Sequence, residues 1–141
     1  MRSVAPVPPL LRPLVYGLAG SLAEALFTSS VASFGARRPE PHGPSTPWMM
    51  PIYGLAMPLF EPVHERVRGR PAWQRGLVYA GGILAVEAAS GWLFRRLTGR
   101  VPWDYGEAGL SVEGLIRLDY APLWGALGLA TERLHDAMTG R

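Results

Sequence analysis

Charged residues avoid four windows of this 141-residue chain, each about as long as a helix that crosses a membrane. Together the windows hold 81 residues and only four charges, whereas the other 60 residues hold 21 charges. A soluble helical domain would place charge on the outer face of nearly every helix. Because a helix needs about 20 mostly apolar residues to cross the hydrocarbon core, the pattern predicts four membrane spans. The windows are residues 13–36, 41–60, 76–94 and 114–131.

These windows predict an all-α integral membrane protein, a four-helix bundle whose second and fourth spans are kinked. The kinks are expected because Pro58 and Pro122 lack the N–H that a helix interior uses for its backbone hydrogen bond. A soluble bundle rich in alanine and glycine is the alternative, since the mean hydropathy is only +0.10. No internal repeat is evident that would help to orient the spans. The predicted boundaries are a lead-in at 1–12, spans at about 13–34, 47–62, 76–94 and 115–132 within one domain of residues 13–135, and a tail at 136–141.

The composition excludes several kinds of site. The chain has no cysteine, so it has no disulfide, no thiolate metal site and no cysteine nucleophile. Its histidines, His42, His64 and His135, are scattered over predicted loops without metal-ligand spacing, so neither a metal nor another cofactor is expected. The serines lack a nucleophile elbow, which makes an enzyme the less favoured class. No phosphate-binding loop is present, so the chain is not itself an ATPase.

All 14 basic residues are arginine, and their positions bear on orientation. An even number of spans puts both termini on one side, and arginine is more frequent at the termini and the central loop than on the other face. This bias favours cytoplasmic termini, with the bacterial inner membrane as the location if the protein is bacterial. The central run of arginines within residues 66–75 lies a few residues from the spans. We therefore expect it to face anionic lipid headgroups, not nucleic acid.

Two acidic residues, Glu24 and Glu87, lie near the middle of otherwise uncharged spans. An ionised side chain at the centre of the bilayer costs about 2.5–3.5 kcal/mol on insertion scales, so such residues usually face the interior of the bundle. In the functional interpretation, spans one and three share a site for a proton, a cation or a substrate headgroup. In the structural interpretation, hydrogen-bonded carboxyl groups fix the packing of the helices. Both interpretations stay open.

A second group of candidates is Tyr53 and the Pro-Trp-Asp-Tyr segment at 102–105. Trp and Tyr favour the membrane interface, so Trp103 and its neighbours are expected either to anchor the chain there or to form a re-entrant loop over a cavity. Asp104 would cap a turn in the first case and would pair with Arg95 or Arg100 in the second. The full set of candidate ligand-binding residues is Glu24, Tyr53, Glu87, Arg95, Asp104, Tyr105, Arg117 and Asp119.

Five sequence pieces occur in an order that is similar to a known family. They are YGLAGSLAEALF, PIYGLAMP, a span with Glu87 and Gly91, PWDY and LWG. Over about residues 14–135 the chain resembles the family named putative ABC-transporter type IV, small bacterial membrane proteins also labelled permeases. The vertebrate branch, transmembrane protein 229, looks closer still through Trp48, Arg66–Arg70 and Gly114–Ala121. Pro47-Trp48 and Gly106 depart from the bacterial pattern.

The resemblance implies a multi-pass membrane protein. The leading hypothesis is a member of a membrane complex or transporter that binds a small or lipidic ligand between its helices. The alternatives are a membrane enzyme acting on lipid, with Glu24 or Glu87 as general base, and a structural or assembly protein. The expected partners are membrane lipid, other membrane subunits or a separate ATPase, and a second copy of the chain.

Overall fold

The computed structural model describes residues 5–33, 49–107 and 109–141. His42 and the Pro47-Trp48 pair, to which the sequence analysis refers, lie outside these residues. Short 3-10 turns at Pro9–Leu11 and Leu118–Tyr120 lead into the first and last long helices. The elements are α1 (Arg12–Ser33), α2 (Met49–Gly54), α3 (Ala56–Val67), α4 (Ala72–Thr98), β1 (Ser111–Val112), β2 (Ile116–Arg117) and α5 (Ala121–Thr139).

The described residues are mostly helical, in agreement with the predicted all-α class, and a small two-stranded hairpin is an unexpected addition. β1 and β2 pair antiparallel, with Val112 opposite Ile116, and Glu113 and Gly114 in the turn both have positive φ. Successive residues with positive φ are typical of tight hairpin turns. The last helix therefore begins at Ala121, six residues after the predicted start of the fourth span. Pro122 lies in the first turn of α5, where a proline is accommodated, so it is no cause of a kink within the helix.

The predicted second span consists of two helices. α2 ends at Gly54, and α3 begins at Ala56 and continues to Val67, past the predicted end at residue 62. Pro58 has no N–H to donate to the carbonyl group of Gly54, so the hydrogen bond that would join the two helices is missing. The N–H of Leu55 instead donates to the carbonyl groups of Pro51 (3.1 Å) and Ile52 (3.2 Å).

Two helical stretches of the described residues, Pro9–Phe27 and Ala72–Thr98, are long and apolar enough to cross a membrane. On the first, leucines recur every four residues along one face, and each is more than half exposed. Large exposed apolar surfaces of this kind mark contact with lipid or with another protein. The leucines are Leu14, Leu18, Leu22 and Leu26.

Glycines let the helices approach closely in pairs. A Cβ at Gly17 of α1 would lie 2.9 Å from the carbonyl oxygen of Met50 in α2, and one at Gly20 would collide with the ring of Tyr53. A Cβ at Gly125 of α5 would lie 3.0 Å from the carbonyl oxygen of Gly76 in α4. Small residues at such crossings allow backbones to touch, as at many helix contacts in membranes.

The structure also reveals a repeat that the sequence analysis did not identify. α4 repeats a pattern of α1 with an offset of 63 residues, and α5 repeats a pattern of α3 with an offset of 71. The first half of this repeat is α1 with α3, and the second half is α4 with α5. Both halves run in the same direction, as in membrane proteins whose repeats are related by an axis along the membrane normal. The matching residues are Arg12 and Arg75, Tyr16 and Tyr79, Glu24 and Glu87, Glu61 and Glu132, and His64 and His135.

Candidate functional site

Four of the predicted site residues lie together towards one end of the bundle, in what we call the carboxylate–tyrosine cluster: Glu24, Tyr53, Glu87 and Tyr105. The hydroxyl of Tyr53 donates a hydrogen bond to Oε2 of Glu24 at 3.0 Å. The hydroxyl of Tyr105 donates to Oε1 of Glu87 at 2.9 Å. Tyr53 lies within electrostatic range of both acids, so the two pairs are neighbours.

Each pair joins elements that are distant in sequence. Glu24 of α1 meets α2 because Gly20 leaves room for the Tyr53 ring, and Glu87 of α4 meets the segment before β1. Burial raises the pKa of Tyr105 well above its ordinary value, and the charge of Glu87 and the hydrogen bond to it act in the same direction. The Tyr105 hydroxyl therefore keeps its proton and remains a donor to the carboxylate.

The second oxygen of Glu87 is the least satisfied atom of this cluster. Glu87 Oε2 is buried and has no hydrogen-bond partner among the described residues, and the same holds for Nε1 of Trp124. The Trp124 indole nevertheless lies close enough to influence the Glu87 carboxyl. Leaving a buried acceptor unsatisfied costs about 1–3 kcal/mol, so Glu87 Oε2 favours a closer donor, either the neighbouring Trp124 indole or a further polar group.

Aromatic side chains lie beside the carboxyl groups of Glu24 and Glu87. Tyr120 lies at the centre of these aromatic side chains. Its ring meets Phe27, Tyr105 and Trp124 edge to face, with centroid distances of 6.1, 5.9 and 6.1 Å. The guanidinium of Arg117 lies 4.1 Å from the centroid of the same ring. Tyr120 was not among the predicted site residues, although it is two residues from Pro122 in the segment that resembles the family.

Asp104 and Arg95 do not form the predicted pair. Asp104 is exposed, and its Oδ1 accepts a hydrogen bond from the backbone N–H of Gly106 at 2.8 Å, as in a turn. Arg95 donates to the backbone carbonyl of Glu113 at 2.7 Å. No salt bridge joins Asp104 to Arg95 or Arg100 within the part of the chain that the structure describes. Of the two alternatives for Asp104, the contact with Gly106 matches the turn cap.

Arg117 and Asp119 bind each other through a short salt bridge, not the two buried carboxyl groups. Arg117 also donates to the Tyr120 hydroxyl at 3.0 Å, and Asp119 accepts from the N–H of Leu110 at 3.3 Å. Trp103 is only 8% exposed, and its Nε1 donates to the carbonyl of Leu115 at 2.9 Å. Trp103 thus packs inside the protein and holds the hairpin.

A second polar cluster, which the sequence analysis missed, lies where α1 and α4 begin and α3 and α5 end. We call it the histidine cluster: Tyr16, Glu61, His64, Tyr79, Glu132, His135 and Asp136. The rings of His64 and His135 are 5.2 Å apart, and these residues are 2% and 3% exposed. The prediction of scattered histidines was therefore wrong for these two. Their signal was the spacing Glu-x-x-His, which occurs at 61–64 and again at 132–135.

Hydrogen bonds in the histidine cluster are reciprocal between the halves. The Tyr16 hydroxyl donates to Glu61 of its own half at 3.3 Å and lies 3.0 Å from Nδ1 of His135 in the other half. The Tyr79 hydroxyl donates to Glu132 of its own half at 2.5 Å and lies 2.9 Å from Nδ1 of His64. An approximate twofold axis between the two imidazole rings accounts for both sets of contacts.

Four arginines surround the histidine cluster and form salt bridges with its acids and with Glu65. Arg12 binds Glu61 at 3.2 Å, and Arg75 of the other half binds Glu132 at 2.7 Å. Arg68 binds Asp136 at 2.7 Å, and this hydrogen bond raises the pKa of the Arg68 guanidinium. The fourth pair is Arg141 with Glu65. Two arginines of the central run, Arg68 and Arg75, are thus used inside the protein, while Arg66 and Arg70 are exposed.

The comparisons with known proteins point to one family. The model of the family described as putative ABC-transporter type IV matches residues 14–140, which include every residue of both clusters. No solved structure matches the chain.

Proposed function

Because the chain belongs to the putative ABC-transporter type IV family, we propose that it is a transporter-like membrane protein whose carboxylate–tyrosine cluster binds a small or lipidic ligand. The observation that carries this proposal is the buried Oε2 of Glu87, which accepts no hydrogen bond of ordinary geometry among the described residues. A ligand headgroup that donates a hydrogen bond would satisfy this oxygen.

The surroundings of Glu87 favour a headgroup that carries positive charge or N–H groups. Carboxylates accept charge-assisted hydrogen bonds, which are stronger than neutral ones. Three aromatic rings lie nearby, those of Tyr105, Tyr120 and Trp124. The face of an aromatic ring attracts a cation, and its edge can pack against an apolar chain. Among the described residues no arginine binds Glu87, whose Oε1 accepts from the Tyr105 hydroxyl, so a cationic ligand would meet a carboxyl that no described guanidinium occupies.

We propose four spans for the topology, formed by α1, by α2 with α3, by α4 and by α5, with both termini cytoplasmic. The histidine cluster supports this arrangement, because it gathers the start of α1, the end of α3, the start of α4 and the end of α5 at one end of the bundle. In a bacterium this places the protein in the inner membrane. Energy for transport would come from a separate ATPase subunit, since the chain has no phosphate-binding loop.

Replacing Glu87 tests the ligand site. In protein purified in mild detergent, Glu87→Gln should reduce the amount of co-purifying small molecule or lipid about tenfold, because the charge-assisted bond is lost. Extraction and mass spectrometry measure the ligand, and size-exclusion chromatography reports folding. Glu107→Gln, which changes an exposed acid of the same loop region, is the matched control and should keep the ligand.

Equal ligand content in Glu87→Gln and wild type would contradict the proposal. Loss of folded protein in both Glu24→Gln and Glu87→Gln would favour the structural interpretation of these acids. Tyr105→Phe removes a neutral hydroxyl from the same carboxylate, so its smaller loss of ligand should fall between the control and Glu87→Gln.

A further inference from the structure

We propose that His64, His135 and Asp136 bind one divalent transition-metal ion, with Zn²⁺ as the representative, between the two halves of the protein. Each of the three residues offers one ligand atom, and these atoms lie within 4.8 Å of one another. The three residues come from the ends of α3 and α5, so the ion would join the two halves at their approximate twofold axis. This site is separate from the carboxylate–tyrosine cluster and does not depend on the function proposed for it.

The tyrosines contact the Nδ1 atoms of both histidines. Each tyrosine hydroxyl lies within hydrogen-bond distance of a glutamate, Tyr16 of Glu61 and Tyr79 of Glu132. When the tyrosine donates to the glutamate, Nδ1 of the histidine donates to the tyrosine oxygen, and this tautomer has its imidazole lone pair on Nε2. Metal-binding histidines commonly use one nitrogen for the ion and donate the other N–H to a group that orients the ring. In this tautomer both histidines have that arrangement.

Of the three proposed ligands, His135 gives the clearest evidence for an unfilled binding position. The residue is 3% exposed, and its Nε2 is buried with no hydrogen-bond partner among the described residues. Oε1 of Glu65 lies 3.6 Å from this atom. A polar cavity of about 500 Å³ opens beside the ring. Its lining is Arg12, Glu61, Glu65, His135, Thr139 and Arg141.

The guanidinium of Arg68 lies between two of the proposed ligands and would compete with the ion for them. Its Nη2 lies 2.8 Å from Nε2 of His64 and 2.7 Å from Oδ1 of Asp136, so one guanidinium bridges two of the three ligands. Zinc binds nitrogen and oxygen ligands at about 2.0–2.2 Å, so Arg68 must move away when the ion enters. The Arg68 side chain is about one-third exposed and can turn into solvent.

The ligand set selects the class of metal. Two imidazole nitrogens with one carboxylate suit Zn²⁺, Cu²⁺, Ni²⁺ or Fe²⁺, whereas Mg²⁺ and Ca²⁺ prefer sites made of oxygen. Glu61 and Glu132, which hold the tyrosines, are engaged by Arg12 and Arg75, so they orient the histidines without competing for the ion.

The test is Zn²⁺ binding by the full chain in detergent, measured by competition with a chromophoric chelator. The wild type should bind one ion per chain, and His64→Gln and His135→Gln should each bind roughly tenfold or more weakly. His42→Gln is the matched control, since it removes the third histidine of the chain and should leave the affinity unchanged. Arg68→Ala should bind Zn²⁺ more tightly than the wild type, because the competing guanidinium is gone.

Absence of Zn²⁺ binding by the wild type would overturn the proposal, as would equal affinities in the wild type and both histidine variants. If the histidine variants do not fold, Arg68→Ala decides the matter, because an ion-pair network without a metal site predicts no gain in affinity. Co²⁺ supplies a second readout: a site with two imidazoles should give visible absorption in the wild type that both His42→Gln and Arg68→Ala retain. Absence of that absorption would also count against the site.

Discussion

Single glycines decide which side chains reach the polar clusters. Gly20 of α1 leaves room for the ring of Tyr53, and Gly128 of α5 does the same for Tyr79, so one glycine serves each cluster. Gly17 and Gly20 can be read from the sequence as small residues of the first span. The partner of each glycine cannot be read from it, because the same spacing fits contact with any neighbouring helix or with a second chain.

Gly20→Ala should lower the thermal stability of the purified protein. The added Cβ would collide with the Tyr53 ring, and overpacking of this kind costs about 1–3 kcal/mol. Gly81→Ala is the matched control in α4, since a Cβ there meets nothing within 4 Å and alanine favours the helix. Thermal unfolding in detergent measures both. A Gly20→Ala protein as stable as Gly81→Ala would contradict the α1–α2 packing described above.

At the scale of elements, the hairpin shows where prediction from sequence stops. The long helices α1 and α4 could be predicted because charge is missing over a whole helix length. Residues 115–120 look like the start of an apolar helix, yet Ile116 pairs with Val112 and Leu115 accepts a hydrogen bond from Trp103. Those contacts are tertiary, so local pattern alone favoured the helix.

Trp103→Phe should loosen the hairpin and leave the helices in place. The substitution removes the N–H that binds the buried Leu115 carbonyl, at a cost of about 1–3 kcal/mol. Limited proteolysis should then cut the segment of residues 104–116 faster, while the helical circular dichroism stays unchanged. Trp73→Phe, at a position that is 66% exposed, is the control and should behave as the wild type. Equal cleavage in both variants would show that Trp103 does not hold the segment.

For the molecule as a whole, the repeat could not be recognised when the sequence was divided into spans and loops. Arg12 and Arg75 were assigned to connections and Glu24 and Glu87 to spans, so residues that repeat together were considered apart. His64 and His135 are 71 residues apart, and only the meeting of α3 and α5 brings them together. Glu24 and Glu87 could be singled out as candidates, because an acid within an apolar span is conspicuous in one sequence, whereas their tyrosine partners could not be assigned.

Single cysteines test the four-span topology, and the cysteine-free chain makes the labelling unambiguous. Gly69→Cys and Ala137→Cys should react with a membrane-impermeant thiol reagent from one side, and Glu107→Cys from the other. Labelling in right-side-out and inverted vesicles measures the side. Reaction of Gly69→Cys and Ala137→Cys from opposite sides would contradict the arrangement in which the α3–α4 connection and the end of α5 share one end of the bundle.

The reciprocal contacts of the two tyrosines have a consequence for assembly. Each half of the chain gives its histidine to the other half, and the short connection from Arg68 to Pro71 joins the halves covalently. Two copies could therefore exchange halves and keep every one of these hydrogen bonds. The connection gives each half a high effective concentration around the other, and this favours the single chain over the exchanged dimer. In a crowded bilayer the concentration of a second copy is higher, so the free-energy difference between the two forms is smaller.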